Sequence, residues 1–137
     1  MFEVSDNSVI GFYAQQRRES KSLNISLGVL QFLAAATFLI AGATKYAGPI
    51  NLANFEKIGL GLWFRYFIGG LEMISAILIM APRTAALAAS VLAAIMIGAI
   101  ATHLFIVGPP PISAIVLLVA TAAVAWYRGV YDWSQNV

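Results

Sequence analysis

Four runs of mostly apolar residues, each bounded by a short polar or proline-bearing break, organise the chain. They span about 24–46, 62–80, 84–107 and 112–127. A bilayer core about 30 Å thick needs roughly 20 apolar residues as helix, so each run reads as one membrane span. The fourth is short, about 24 Å of helix, and Pro109–Pro111 start it near the interface, since proline is tolerated in a first helical turn. Ala-Pro-Arg-Thr at 81–84 and Gly-Pro-Pro-Pro at 108–111 read as tight hairpins. The link 47–61 is longer. Gly48-Pro49 ends the first helix, and Leu52, Phe55 and Ile58 then recur every third residue with Asn54, Glu56 and Lys57 between them. That pattern predicts a short amphipathic helix lying on the surface as a lid, with a plain linker as the alternative. The expected fold is all-α: an integral membrane four-helix up-down bundle with a short surface helix between helices one and two. The expected division is a polar tail 1–22, a membrane domain 23–129 and a C-terminal tail 130–137.

Composition agrees with the pattern. Of 137 residues, 61% are hydrophobic and 10% charged, and the mean hydropathy is +0.84. A soluble domain carries about a quarter charged residues. The net charge of +2 is small and scattered, so nucleic acid is excluded as a partner. The absence of cysteine excludes disulfides, thiol redox centres and iron–sulfur clusters, and a single histidine excludes bis-histidine haem ligation within the chain. No metal site is expected. Residues 1–22 lack the basic start and apolar core of a signal peptide and read as a partly disordered or interfacial tail.

Charge sets the expected orientation. Arg17, Arg18, Lys21, Arg83 and Arg128 fall on one side, against Lys45, Lys57 and Arg65 on the other. The positive-inside rule then places both termini in the cytoplasm. Trp126, Tyr127, Tyr131 and Trp133 form an aromatic belt at the inner surface, and Trp63 and Tyr66 mark the outer one. Ala41-Gly42-Ala43, Gly69-Gly70, Ala93-Ala94 and Gly98-Ala99 are small faces that let helices approach closely.

The candidate chemistry lies in ionisable residues inside the spans. By helix rise, Arg65 is about 4–5 Å and Glu72 about 15 Å below the outer face, and His103 is about 6 Å below the end of its helix. Side chains tilt toward the N-terminus of their own helix, which brings Lys45 and His103 down and Glu72 up toward one depth. The expectation is a polar trio of Lys45, Glu72 and His103 in the outer half of the bundle, with Arg65 snorkelling at its mouth. Three stripes would line it: Gln31, Ala34, Phe38, Gly42 and Lys45; Arg65, Gly69, Glu72 and Ala76; Met96, Ala99 and His103. Met73, Met80 and Met96 read as packing residues. The alternative to a pocket is an ion-paired knot that fixes helix register.

At FLIAGATKYAG (38–48), FRYFIGGLEMISAILIMAPRTAALAA (64–89), GAIATHLF (98–105) and VAWYRG (124–129) the sequence resembles the DoxX-like membrane family. The resemblance covers about Leu27 to Gly129 and implies a four-helix bacterial inner-membrane protein. It carries Lys45, Arg65, Glu72 and His103 over as the polar positions, and it implies association with quinone-linked oxidation. The first functional expectation is a ligand-binding accessory subunit of a redox complex. Its pocket would take a lipophilic molecule such as a quinone, with His103, Lys45 and Arg65 as donors and Phe38, Phe64 and Phe105 as walls. No cofactor motif exists in the chain itself. The second expectation is a cofactor-free isomerase or cyclase with Glu72 and His103 as catalytic acid and base. The third is a structural subunit. The expected company is the bilayer, a lipophilic small molecule, and a membrane-protein partner or a second copy.

Overall fold

A computed structural model describes residues 6–49 and 52–135, with side chains through residue 130. Every regular element among them is helical. Helix α1 spans Asp6–Ala47, α2 Leu52–Ile58, α3 Leu62–Leu78, α4 Ala85–Thr102 and α5 Ile112–Gln135, and a π-helical turn, His103–Val107, continues α4. Asn51 and the side chains of Tyr131 and Trp133, which were expected to contribute to the surface link and the aromatic belt, lie outside the described residues.

Three of these helices are long and apolar enough to cross a membrane, and a fourth span results if α2 and α3, bent by 118° to each other, are counted together. Helix α3 alone has 17 residues, about 25 Å of rise. The exterior agrees with that reading. Ile40, Ile74, Leu87, Leu104, Phe105 and Val119 are all exposed, an apolar surface that only lipid or protein can cover at this density. The interior is built from small residues. Ala34, Ala35, Ala76, Ala88 and Ala89 surround Phe38, Ile79, Leu92 and Val124.

Helix α1 packs against α3 and α5, and α4 packs against α5 and α3. Contacts between α1 and α3 show that they run antiparallel. Tyr46 meets Tyr66 at one end, with rings stacked at 5.2 Å, and Gln31 meets Ile79 at the other. Gly42 and Gly69 set the closeness of that seam. A Cβ on Gly42 would lie 2.8 Å from the Gly69 carbonyl oxygen, and one on Gly69 would lie 3.1 Å from the Gly42 oxygen. Of the small faces named from sequence, this one is used for close approach, whereas Gly98 has nothing within 4 Å of where its side chain would be.

The short helix α2 forms where the Leu52, Phe55 and Ile58 spacing predicts it, and those three residues are half-buried while Ala53, Glu56 and Lys57 are exposed. It rests on α3, where Phe55 meets Phe64 at 6.1 Å, and on the π-helical turn. Two departures from the sequence reading stand out. Residues 6–22, expected to be a partly disordered or interfacial tail, are not disordered but continue α1 as an exposed helix, since no proline interrupts the chain before Pro49. The fourth apolar helix does not stop at Tyr127 but runs on to Gln135.

Candidate functional site

The polar side chains of the spans gather at two places. At the C-terminal end of α1, Lys45 and Glu72 form an ion pair with Nζ 2.5 Å from Oε2. Both are buried, at 7% and 3% exposure. Lys45 also donates to the Ala41 carbonyl at 3.2 Å. The pair therefore belongs to the seam that Gly42 and Gly69 close, because the missing side chains let α1 approach α3 until the ammonium reaches the carboxylate.

Arg65 lies on the same seam, 4% exposed. Its guanidinium donates to the Thr44 carbonyl at 3.3 Å and to the Gly48 carbonyl. The final carbonyls of a helix lack partners within it, and they carry the negative end of its dipole. Arg65 answers both needs at the end of α1. It was expected to snorkel to the mouth of a pocket or face the surface helix. Its guanidinium is instead held by half-buried carbonyls at and just past the end of the neighbouring helix. Tyr46 completes the seam by donating to the Tyr66 carbonyl at 2.5 Å.

His103 hydrogen-bonds within its own helix. It opens the π-helical turn, and its Nδ1 lies 2.9 Å from the Ala99 carbonyl of its own helix. A carbonyl only accepts, so Nδ1 carries a proton, which leaves Nε2 of the neutral ring as an acceptor. The π turn itself follows from the prolines. Pro109–Pro111 offer no N–H, so Gly108, the last donor before them, reaches back to the His103 carbonyl at 2.8 Å with its φ at +98°. Of the expected trio, two members are seen in direct contact. Lys45 and Glu72 meet, and His103 bonds to Ala99 in the turn on which α2 rests. The expected aromatic walls separate. Phe38 is fully buried in the core, while Phe105 is 86% exposed and faces outward. Of the three donors expected for a quinone, His103 spends its N–H on Ala99, and Lys45 and Arg65 are engaged along the seam.

The second polar cluster was not anticipated as a unit. At the other end of the α1–α3 seam, Gln31 is 4% exposed and donates from Nε2 to the Ile79 carbonyl at 2.6 Å. Its Oε1 accepts from Arg128 Nε at 3.0 Å and Nη2 at 2.6 Å. Arg128 Nη1 donates to Asn24 Oδ1 at 2.7 Å. One arginine on α5 therefore ties α1, which in turn holds the end of α3. The signal was present in sequence: Asn24 and Gln31, seven residues apart, share one face of α1. Arg128 had been counted only as a cytoplasmic charge.

The chain matches the DoxX-like family over residues 29–127 and therefore belongs to it. No curated protein and no solved structure matches it. The matched region contains Lys45, Arg65, Glu72 and His103 and stops just short of Arg128.

Proposed function

We propose that this DoxX-like chain is a bacterial inner-membrane protein of four spans running up and down, with both termini cytoplasmic. Its periplasmic end receives the polar head of a lipophilic molecule, and the chain serves as an accessory subunit beside a redox partner. The grouping of Arg17, Arg18, Lys21, Arg83 and Arg128 supports the orientation. One observation carries the ligand reading: a half-buried histidine opening the π-helical turn on which α2 rests, with its tautomer set by Ala99. π turns inside helices recur at functional sites. An open Nε2 accepts a hydrogen bond, so it suits a hydroxylated ring better than a carbonyl. Among lipophilic redox carriers, that selects the quinol over the quinone.

The test is organic extraction and mass spectrometry of the full chain purified in mild detergent. A hydroquinone or quinone retained by the wild type, and lost in His103→Leu while the variant still folds, supports the reading. Equal retention by both, or none by either, overturns it. A structural subunit is the second reading, favoured by the closed Lys45–Glu72 pair and by the use of Arg65 as a helix cap. It expects a stoichiometric complex that survives His103→Leu. The acid–base enzyme ranks third, since Lys45 engages the Glu72 carboxylate.

A further inference from the structure

At the Arg128 end, a groove of about 260 Å³ runs between α1 and α5. Leu23, Leu27 and Val130 give it apolar walls, with Leu27 buried, and Ser20, Asn24 and Arg128 bring polar groups to it. We propose that this groove binds an anionic phospholipid, with Arg128 anchoring the phosphate and the apolar walls taking the start of the acyl chains.

Three observations point there. First, Arg128 is a cation that, among the described residues, is held by neutral groups. Among the described residues its side-chain partners are the amide oxygens of Gln31 and Asn24. Those bonds fix the guanidinium without cancelling its charge, and a guanidinium has further N–H groups to give. Phosphate is the anion its fork suits. Secondly, the depth is right. Trp126 and Tyr127, both exposed, flank Arg128, and amphipathic aromatic rings sit at the headgroup level of a bilayer. Thirdly, the neighbouring surface is basic. Arg17, Arg18 and Lys21 lie on the exposed stretch of α1 that leads to Ser20 and Leu23. Glu19, the acidic side chain of that stretch, accepts from Gln15. Juxtamembrane basic clusters of this kind attract anionic lipid. The groove lies at the opposite end from His103, so the proposal stands independently of the ligand reading above.

Native mass spectrometry of the full chain in detergent tests it, with phosphatidylglycerol, phosphatidylcholine and inorganic phosphate added in turn. Ser20→Trp fills the groove while leaving Arg128, Gln31 and Asn24 in place. The expected result is one tightly held phosphatidylglycerol, retained about tenfold better than phosphatidylcholine, whose phosphate offers the same acceptor but whose choline sets a second cation beside Arg128 and the basic stretch of α1, a repulsion of about 1 kcal/mol or more at contact distance. Ser20→Trp should abolish that preference with no loss of thermal stability in lipid-free detergent. Equal retention of the two lipids, an unchanged preference in Ser20→Trp, or full displacement by millimolar inorganic phosphate would overturn the proposal.

Discussion

The two polar clusters solve the same problem differently. At the Lys45 end, a charge is met by an opposite charge, in a seam sealed by the Gly42–Gly69 approach. At the Arg128 end, a charge is met by neutral amides beside an open groove. Depth explains the difference. Glu72 lies mid-helix on α3, where neither water nor headgroups reach it, so a counter-ion within the protein must neutralise it. Arg128 lies near the end of the apolar run of α5, beside exposed aromatic rings, where the surroundings can supply the anion. The first arrangement is closed and complete, and the second is fixed but electrically open.

The largest expected effect comes from breaking the closed pair. Glu72→Ala leaves Lys45 buried without a counter-charge and should cost about 3–5 kcal/mol. Glu72→Gln keeps an acceptor for the ammonium and should cost less. The double change Lys45→Met with Glu72→Leu removes both charges and should recover most of the loss. Reversible unfolding in mixed micelles orders these variants. A double variant as unstable as Glu72→Ala would mean that the pair does more than neutralise itself.

The seam comes next. In Gly42→Ala the added methyl would stand 2.8 Å from the Gly69 carbonyl oxygen and 2.5 Å from Met73 Cγ. Met73 can swing aside, but the backbone oxygen moves only if the helices part. A cost of about 1–3 kcal/mol is expected, as for other overpacked interiors. Parting the helices would also stretch the ion pair, so combining Gly42→Ala with the uncharged double variant should cost less than the sum of the two. Simple additivity would separate the seam from the pair.

The open cluster should be more forgiving. Arg128→Met removes three hydrogen bonds; water can replace the one to Asn24, whereas the Gln31 oxygen is buried, so about 1–3 kcal/mol is expected, less than for an unpaired buried charge. A loss as large as that of Glu72→Ala would erase the contrast between the clusters.

Much of this arrangement could be read before any coordinates. Three of the four expected spans follow from run length alone. The buried stripe Gln31, Ala34, Phe38, Gly42 and Lys45 follows from helical periodicity, and every member of it is buried. So are Arg65, Gly69, Glu72 and Ala76 on α3. What escaped was partner choice. Depth and side-chain tilt bring Lys45, Glu72 and His103 to one level, but they do not include the competing backbone acceptors. For His103 the winning acceptor was a carbonyl one turn back, and for Arg65 it was the end of α1. The tail 6–22 escaped because its polar composition hides a helix that the span below it continues. Once a helix is nucleated, each added residue costs little.

The smallest predicted effect separates the two helix pairs. Gly98 occurs in α4, in a small-residue pair that resembled a packing face in sequence. It is exposed, with nothing within 4 Å of its absent side chain. Gly98→Ala therefore adds a methyl against lipid and nothing else. Alanine favours helix over glycine by up to about 1 kcal/mol in water, and a bilayer that already enforces helix should reduce that gain. The expected change is thus zero or slightly stabilising, opposite in sign to Gly42→Ala for the same added atom. The two glycine variants measured side by side, under one detergent and lipid condition, test whether close approach is confined to the α1–α3 seam. A marked loss in Gly98→Ala would mean that the face is covered after all, by a second copy or a partner helix packed on α4. A loss that grows on dilution of the protein would identify the second copy.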